Sequence, residues 1–129
     1  MTRGKLEVHI VEGKDIKDMD AIGIGDPYVE LWLDNDSNRH KTDTRSGTAT
    51  PVWDKFFHYF VSDNENKVLN LRVLDEDVGA DEEIGVTKIS LDQVYKNEYI
   101  DQWVSLPDTK VSGTCNGQVR VILEFWPTS

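Results

Sequence analysis

The feature that most constrains the fold of this chain is a series of short segments in which apolar and polar residues alternate. The alternation is clearest near the two ends of the chain, over residues 6–10 and 119–125. Side chains of a β-strand point alternately to opposite faces, so a period of two predicts strands with one buried face. The eight candidate strands cover residues 6–10, 29–33, 39–43, 52–60, 69–73, 84–89, 102–106 and 119–125. Eight short strands separated by polar turns predict an all-β protein, an eight-stranded antiparallel β-sandwich.

One short helix interrupts this pattern near residues 91–96. Ser90 and Gln93 have the spacing of a capping box, in which the serine side chain accepts the amide hydrogen of the residue three positions on. Leu91, Val94 and Tyr95 then form a short apolar face. We therefore expect about two helical turns between the sixth and seventh strands.

The length and charge of the chain limit its partners. At 129 residues it is predicted to form a single domain over residues 1–129, and we expect a monomer. The net charge of −10 argues against nucleic acid, since phosphate neutralisation needs a basic surface. It also disfavours an anionic membrane unless the negative charge is cancelled. The sequence has no signal-peptide pattern and only one cysteine, Cys115, so we expect a cytoplasmic protein.

Two acidic turns each follow an apolar strand. Six acidic residues and no basic residue lie from Asp75 to Glu83, and Asp20 and Asp26 flank a turn far upstream. Two charged carboxylates ~4 Å apart repel by about 4 kcal/mol at an effective dielectric constant near 20. Such a cluster is stabilised by a hard cation, and an all-oxygen ligand set favours Ca²⁺ over zinc or copper.

The order of the strands predicts where these turns lie. If consecutive strands alternate in direction, the connections after strands one, three and five emerge at the same end of the sandwich. Two of those three connections are the acidic turns. We therefore expect them to meet, although about fifty residues separate them in sequence.

Four motifs in order along nearly the whole chain then give the sequence a family resemblance. They are the opening strand Gly4–Gly13, the turn Asp20-x-x-Gly23-x-x-Asp26-Pro27-Tyr28-Val29, the segment Thr48–Asp54, and Asp75-x-Asp77 followed by Ile84-Gly85. The sequence resembles a C2 domain, the calcium-dependent phospholipid-binding module. The resemblance implies a Greek-key sandwich, and the position of the first calcium loop after the first strand is similar to the circularly permuted variant of the family.

The resemblance also implies a set of calcium ligands for one or two ions. Four family positions match Asp20, Asp26, Asp75 and Asp77. The fifth position, three residues before the glycine of the Ile-Gly motif, holds Glu82, and Asp81 precedes it directly. Both Asp81 and Glu82 remain candidates for the fifth ligand.

Three aliphatic residues lie in the acidic turns, where polar residues are more usual. Ile22 and Ile24 belong to the first turn and Val78 to the second. They either pack between neighbouring loops or insert into the acyl boundary of a membrane once calcium has bound. The membrane interpretation predicts a peripheral association with anionic phospholipid that depends on calcium.

No arrangement of nucleophile, base and phosphate-binding glycines is present, and the three histidines lie on different predicted strands. We therefore expect no enzyme activity. The main alternative to calcium-dependent membrane binding is a calcium-independent protein–protein interaction module on the same sandwich, because a fold does not determine a function.

Overall fold

The chain forms a sandwich of two four-stranded antiparallel sheets. The computed structural model describes residues 2–18 and 25–128. In chain order the elements are β1 Arg3–Lys14, β2 Pro27–Leu33, β3 His40–Lys41, β4 Val52–Ser62, β5 Val68–Asp75, β6 Glu82–Ser90, α1 Asp92–Asn97, β7 Tyr99–Pro107 and β8 Cys115–Pro127. One sheet has the order β4-β1-β8-β7, and the other has the order β3-β2-β5-β6. The predicted eight-stranded, all-β architecture with one short helix is confirmed.

The alternating residues form the core between the sheets. Leu6, Val8 and Ile10 of β1 are fully buried, as are Leu69 and Leu71 of β5. The pairing of β1 with β8 places their apolar residues on the same side of one sheet, with Leu6 opposite Phe125 and Val8 opposite Leu123. This burial is the main stabilising contribution, since each aliphatic side chain removed from water contributes about 1.5–3 kcal/mol.

The third strand is shorter than predicted. Residues 39–43 were expected to form it, but only His40 and Lys41 pair with β2. At Thr42 the N–H still donates a hydrogen bond to Val29 O at 2.9 Å. The regular pairing ends there, because Val29 N donates to the Thr42 hydroxyl at 3.0 Å, and that hydroxyl donates to Asp43 O at 2.9 Å.

The short helix is present, but the predicted capping box is wrong. Ser90 is still paired with Val68 in the ladder between β5 and β6. From that position its hydroxyl accepts a hydrogen bond from Asp92 N at 3.3 Å, and no side chain caps the helix at Leu91. The helix ends at Glu98, which adopts a left-handed conformation and donates its N–H to Val94 O.

Among the described residues, no helix has the length and apolar character needed to cross a bilayer.

Candidate metal and membrane site

The connections after β1, β3 and β5 meet at one end of the sandwich. Asp26 N donates a hydrogen bond to Asp75 Oδ1 at 2.9 Å, although the two residues are 49 positions apart. Gly47, from the connection after β3, donates its N–H to Asp26 Oδ1 at 2.8 Å. The predicted convergence of the two acidic turns is therefore confirmed for Asp26 and Asp75.

Asp75 is a buried carboxylate with an unsatisfied oxygen. It is the last residue of β5 and is 1% exposed. Its Oδ1 accepts the hydrogen bond from Asp26 N, whereas its buried Oδ2 has no hydrogen-bond partner among residues 2–18 and 25–128. Most buried polar atoms in folded proteins are hydrogen-bonded, so a carboxylate oxygen of this kind requires an explanation. Such an oxygen can accept a hydrogen bond from water or bind a cation.

Gly25 lies close against the same carboxylate. A Cβ atom at this position would lie 2.9 Å from Asp75 Oδ2 and 3.2 Å from its Cγ. Such distances are too short for any side chain to be accommodated without a shift of the carboxylate. Glycine at this position therefore leaves Asp75 Oδ2 uncrowded by a side chain.

The turn that carries Asp26 is held from both neighbouring connections. Asp26 O accepts a hydrogen bond from Glu76 N at 3.0 Å, and Gly25 O accepts one from Thr48 N at 3.2 Å. Buried Trp53 of β4 donates its indole N–H to Pro27 O at 3.1 Å. These bonds to backbone atoms fix the position of the Asp26 carboxylate relative to Asp75.

The acidic connection after β5, residues 76–81, is organised by its own carboxylates. Asp77 Oδ1 accepts a hydrogen bond from Val78 N at 2.7 Å, and Asp77 N donates to Asp81 Oδ1 at 3.1 Å. Tyr28 donates its hydroxyl to Asp81 Oδ2 at 2.5 Å. The hydrogen bond from Tyr28 is the main reason why the pKa of Asp81 is lowered. The pKa of Tyr28 is raised, mainly by burial and next by the same hydrogen bond.

The strand register separates the roles of Asp81 and Glu82. Glu82 is the direct partner of Asp75 in the ladder between β5 and β6. Directly opposite residues of an antiparallel pair project to the same face of the sheet, so Glu82 shares the face of Asp75. Pro27 is the other direct partner of Asp75. Tyr28 follows Pro27 in β2 and therefore projects to the opposite face, where its hydroxyl donates a hydrogen bond to Asp81.

The structure describes one of the three predicted membrane contacts. Val78 is 100% exposed at the tip of the acidic connection. The interpretation that it packs between neighbouring loops is therefore wrong. Asp20, Ile22 and Ile24 lie outside the described residues.

Within residues 2–18 and 25–128, no group of three or more His, Cys, Asp or Glu side chains is arranged to hold a metal ion. The pair of Asp26 and Asp75 nevertheless fits calcium. Its donors are carboxylate oxygens, one of them is buried without a partner among the described residues, and Gly25 places no side chain against it.

Several groups at the site were not identified from sequence. Tyr28 was read only as part of a motif, and nothing in its spacing indicates a hydrogen bond to Asp81, 53 residues away. The same holds for the amide of Gly47 and for the hydroxyl of Thr44, which is hydrogen-bonded to the Glu76 carboxylate. All of these contacts join segments that are distant in sequence.

Comparison with known proteins identifies the family. The family model described as "C2 domain" matches residues 4–106. The chain belongs to the C2 domain family. The predicted resemblance is thus confirmed, whereas its assignment to the circularly permuted variant stays a prediction.

Individual relatives are similar to most of this chain. The chain is 33% identical over 129 residues to "Synaptotagmin-4" of Arabidopsis thaliana, covering 96% of this chain and 23% of that protein. It is 35% identical over 89 residues to "Calcium-dependent lipid-binding protein" of the same plant, covering 69% of this chain and 17% of that protein. The chain therefore spans less than a quarter of either relative.

A solved structure matches almost end to end. It is a C2 domain of a plant Extended Synaptotagmin 1, which superimposes with a TM-score of 0.83 at 26% identity. The match covers 98% of this chain and 96% of that one. The C2 sandwich therefore extends beyond residue 106 through β8, which pairs with β1 along its length.

Proposed function

We propose that this C2 domain binds anionic phospholipid membranes in a calcium-dependent manner, through the end of the sandwich that carries Asp26 and Asp75. The observation that carries the proposal is the Oδ2 of Asp75, which is buried without a hydrogen-bond partner among the described residues and lies beside Gly25. The names of the relatives, which include a calcium-dependent lipid-binding protein and a synaptotagmin, support the same function. The protein would then be a cytoplasmic, monomeric, single domain that associates peripherally with membranes.

The residues that would hold one or two calcium ions come from two connections. Asp20 and Asp26 belong to the connection after β1, and Asp75 and Asp77 belong to β5 and the connection that follows it. Glu82 is the fifth ligand in this proposal, because it shares the face of Asp75. Asp81 has a different role, since both of its oxygens accept hydrogen bonds that shape the loop.

The charge of the chain explains why the ion would act as a switch. At −10 the metal-free protein is repelled by an anionic bilayer. Bound calcium supplies positive charge and open coordination positions for phosphate oxygens. Val78, with Ile22 and Ile24, would then enter the acyl boundary, where each buried aliphatic side chain contributes about 1.5–3 kcal/mol.

Sedimentation with vesicles tests the proposal. We expect the protein to sediment with mixed phosphatidylserine and phosphatidylcholine vesicles in about millimolar calcium and to stay in the supernatant in EGTA. Pure phosphatidylcholine vesicles are the control for charge, and they should bind much less protein in calcium. Equal sedimentation in calcium and in EGTA would exclude the proposed switch.

The choice between Glu82 and Asp81 has a test of its own. Glu82→Gln removes one ligand charge and should weaken calcium binding at least about tenfold, since calcium affinity follows the number of ligand charges. Asp81→Asn keeps an oxygen that can accept the hydrogen bond from Asp77 N, and should weaken calcium binding less. Calcium titrations by calorimetry on both variants measure the difference. A larger loss in Asp81→Asn would assign the fifth ligand to Asp81.

A second candidate function, calcium-independent protein binding, is favoured by the outer face of the β4-β1-β8-β7 sheet. Phe60 is 90% exposed, and Trp126 is also exposed. Both are direct partners of Lys5 on neighbouring strands, and Lys5 Nζ lies 5.2 Å from the Trp126 ring. Exposed aromatic residues close together are typical of interaction surfaces. Under this alternative, calcium would leave both vesicle binding and thermal stability unchanged.

A further inference from the structure

We propose that the connection between β7 and β8, residues 108–114, is a second membrane-contacting tip, with Val111 entering the acyl boundary and Lys110 contacting anionic headgroups. The inference rests on the proposed membrane function and names a contact outside the two acidic turns. It gives a role to a segment in which the sequence alone indicates none.

This connection lies at the same end of the sandwich as the acidic turns. Pro107 and Cys115 pair at its base, and Lys14, the last residue of β1, pairs with Gln118 of β8. Lys17, in the connection that leads to the first acidic turn, donates its N–H to Asn116 O at 2.9 Å. The ends of β1 and β7 and the start of β8 are thus neighbours.

The tip also lies near the start of β6, the strand that follows the second acidic turn. A cleft of about 300 Å³ separates residues 108–110 from the start of β6, and its lining includes Lys17, Glu83 and Lys110. β6 begins directly after the connection that carries Val78. Residues 108–110 therefore lie across one cleft from the strand that follows the connection carrying Val78.

Hydrogen bonds within the connection hold Val111 in an exposed position. Val111 is 53% exposed. Its carbonyl oxygen accepts a hydrogen bond from the Thr114 hydroxyl at 2.9 Å, and Asp108 N donates to Thr114 O at 3.1 Å. Asp108 Oδ1 accepts a hydrogen bond from Lys110 N at 2.9 Å. A tip that is already ordered loses little conformational entropy when it inserts.

The charge beside the tip favours a membrane over other partners. A single exposed valine needs no explanation. Here, however, Lys110 directly precedes it, whereas Lys17 in the adjoining cleft forms an ion pair with Asp108, with its Nζ 3.8 Å from Asp108 Oδ2. An aliphatic tip next to Lys110, at the end of the sandwich that also carries Val78, complements an anionic bilayer, because the valine can enter the acyl layer while the lysine contacts phosphates.

Substitution at the tip measures its contribution. We expect Val111→Asp to weaken binding to phosphatidylserine-containing vesicles in calcium by about tenfold. Ser112→Asp is the matched control, because it adds the same charge to the same connection and keeps the valine; it should cause a smaller loss. Thermal midpoints in EGTA establish that both variants fold. Equal losses in the two variants, or no loss in Val111→Asp, would overturn the inference.

A fluorescent label tests insertion directly. Cys115 is the only cysteine, so Cys115→Ser provides a background for a polarity-sensitive dye at Val111→Cys. In calcium and vesicles we expect a blue shift and quenching by spin labels within the bilayer. The same dye at Asn64→Cys, in the connection between β4 and β5 at the opposite end, should show neither change.

Labels at two positions also distinguish a failure of this inference from a failure of the proposed function. If dye at Val78→Cys is quenched and dye at Val111→Cys is not, the membrane function stands and the second tip is rejected. If the protein binds no vesicles in calcium, the proposed function fails and the inference fails with it.

Discussion

Asp75→Asn is expected to abolish calcium-dependent vesicle binding and to raise the thermal midpoint measured in EGTA. The asparagine keeps an oxygen for the hydrogen bond from Asp26 N, which joins the two turns at 2.9 Å. It replaces the buried, unpaired Oδ2 with an amide nitrogen and removes one negative charge from the acidic end. We expect the free energy of unfolding without calcium to rise by about 1 kcal/mol, because repulsion among the carboxylates decreases.

The effect of calcium on stability is the sharper measurement for this variant. When calcium is about a hundredfold above its Kd, it should stabilise the unsubstituted protein by about 2.7 kcal/mol, since it binds only the folded state. For a domain of this size that shift amounts to roughly 10 °C in the thermal midpoint. Asp75→Asn should show almost none of it.

Two further variants are compared with Asp75→Asn. Asp92→Asn makes the same chemical change at an exposed residue of the helix, and it should keep both the calcium shift and vesicle binding. Asp77→Asn should lose vesicle binding as Asp75→Asn does, with the fold intact. Undiminished sedimentation of Asp75→Asn in calcium would refute the assignment of Asp75 as a ligand.

Gly117→Ala is expected to cause the largest loss of stability among the substitutions considered, about 3 kcal/mol. Gly117 lies in β8 with φ of +127°, where a side chain is strained. A Cβ atom would also lie 2.8 Å from Ile16 Cδ1 and 2.9 Å from Ile16 Cα, so a backbone segment would have to move. Urea unfolding in EGTA measures this loss.

The displaced segment leads to the first acidic turn, so calcium affinity should fall together with stability. Gly113→Ala separates the two causes of the loss. Gly113 also has a positive φ, +82°, but a Cβ atom there meets nothing within 4 Å. It should therefore lose only the strain contribution, about 1 kcal/mol. Equal losses in the two variants would show that contact with Ile16 is unimportant.

The features of the fold that could be predicted from sequence are those indicated by residues close together along the chain. Residues 6–10 and 119–125 alternate because each strand has one buried face, and this pattern is carried by neighbouring residues. The capping box at Ser90 was wrong because a local motif takes no account of the ladder, which holds Ser90 opposite Val68. The exposure of Phe60 does not follow from the sequence, because alternation distinguishes two faces of a strand without saying which face the other sheet covers.

In the candidate site, too, some features were predicted from the sequence and others were shown only by the tertiary structure. Asp26 and Asp75 were predicted to meet because strand parity is a property of the order of segments, and the hydrogen bond between them agrees. The choice between Asp81 and Glu82 was left open, because Glu82 occupies the motif position, whereas the nearest aspartate is Asp81, one residue earlier. Only the pairing of Glu82 with Asp75, and the reach of Tyr28 to Asp81, distinguishes them.

By itself the sequence determined the class of fold, the family and the acidic character of the two turns, because alternation, motifs and charge are carried by residues close together along the chain. The tertiary structure decided which carboxylate oxygen is buried without a partner among the described residues, which glycine lies against it, and which connections share that end. These are properties of atoms brought together from segments about fifty residues apart. Burial and hydrogen-bond satisfaction are set by that assembly, so no local pattern could specify them.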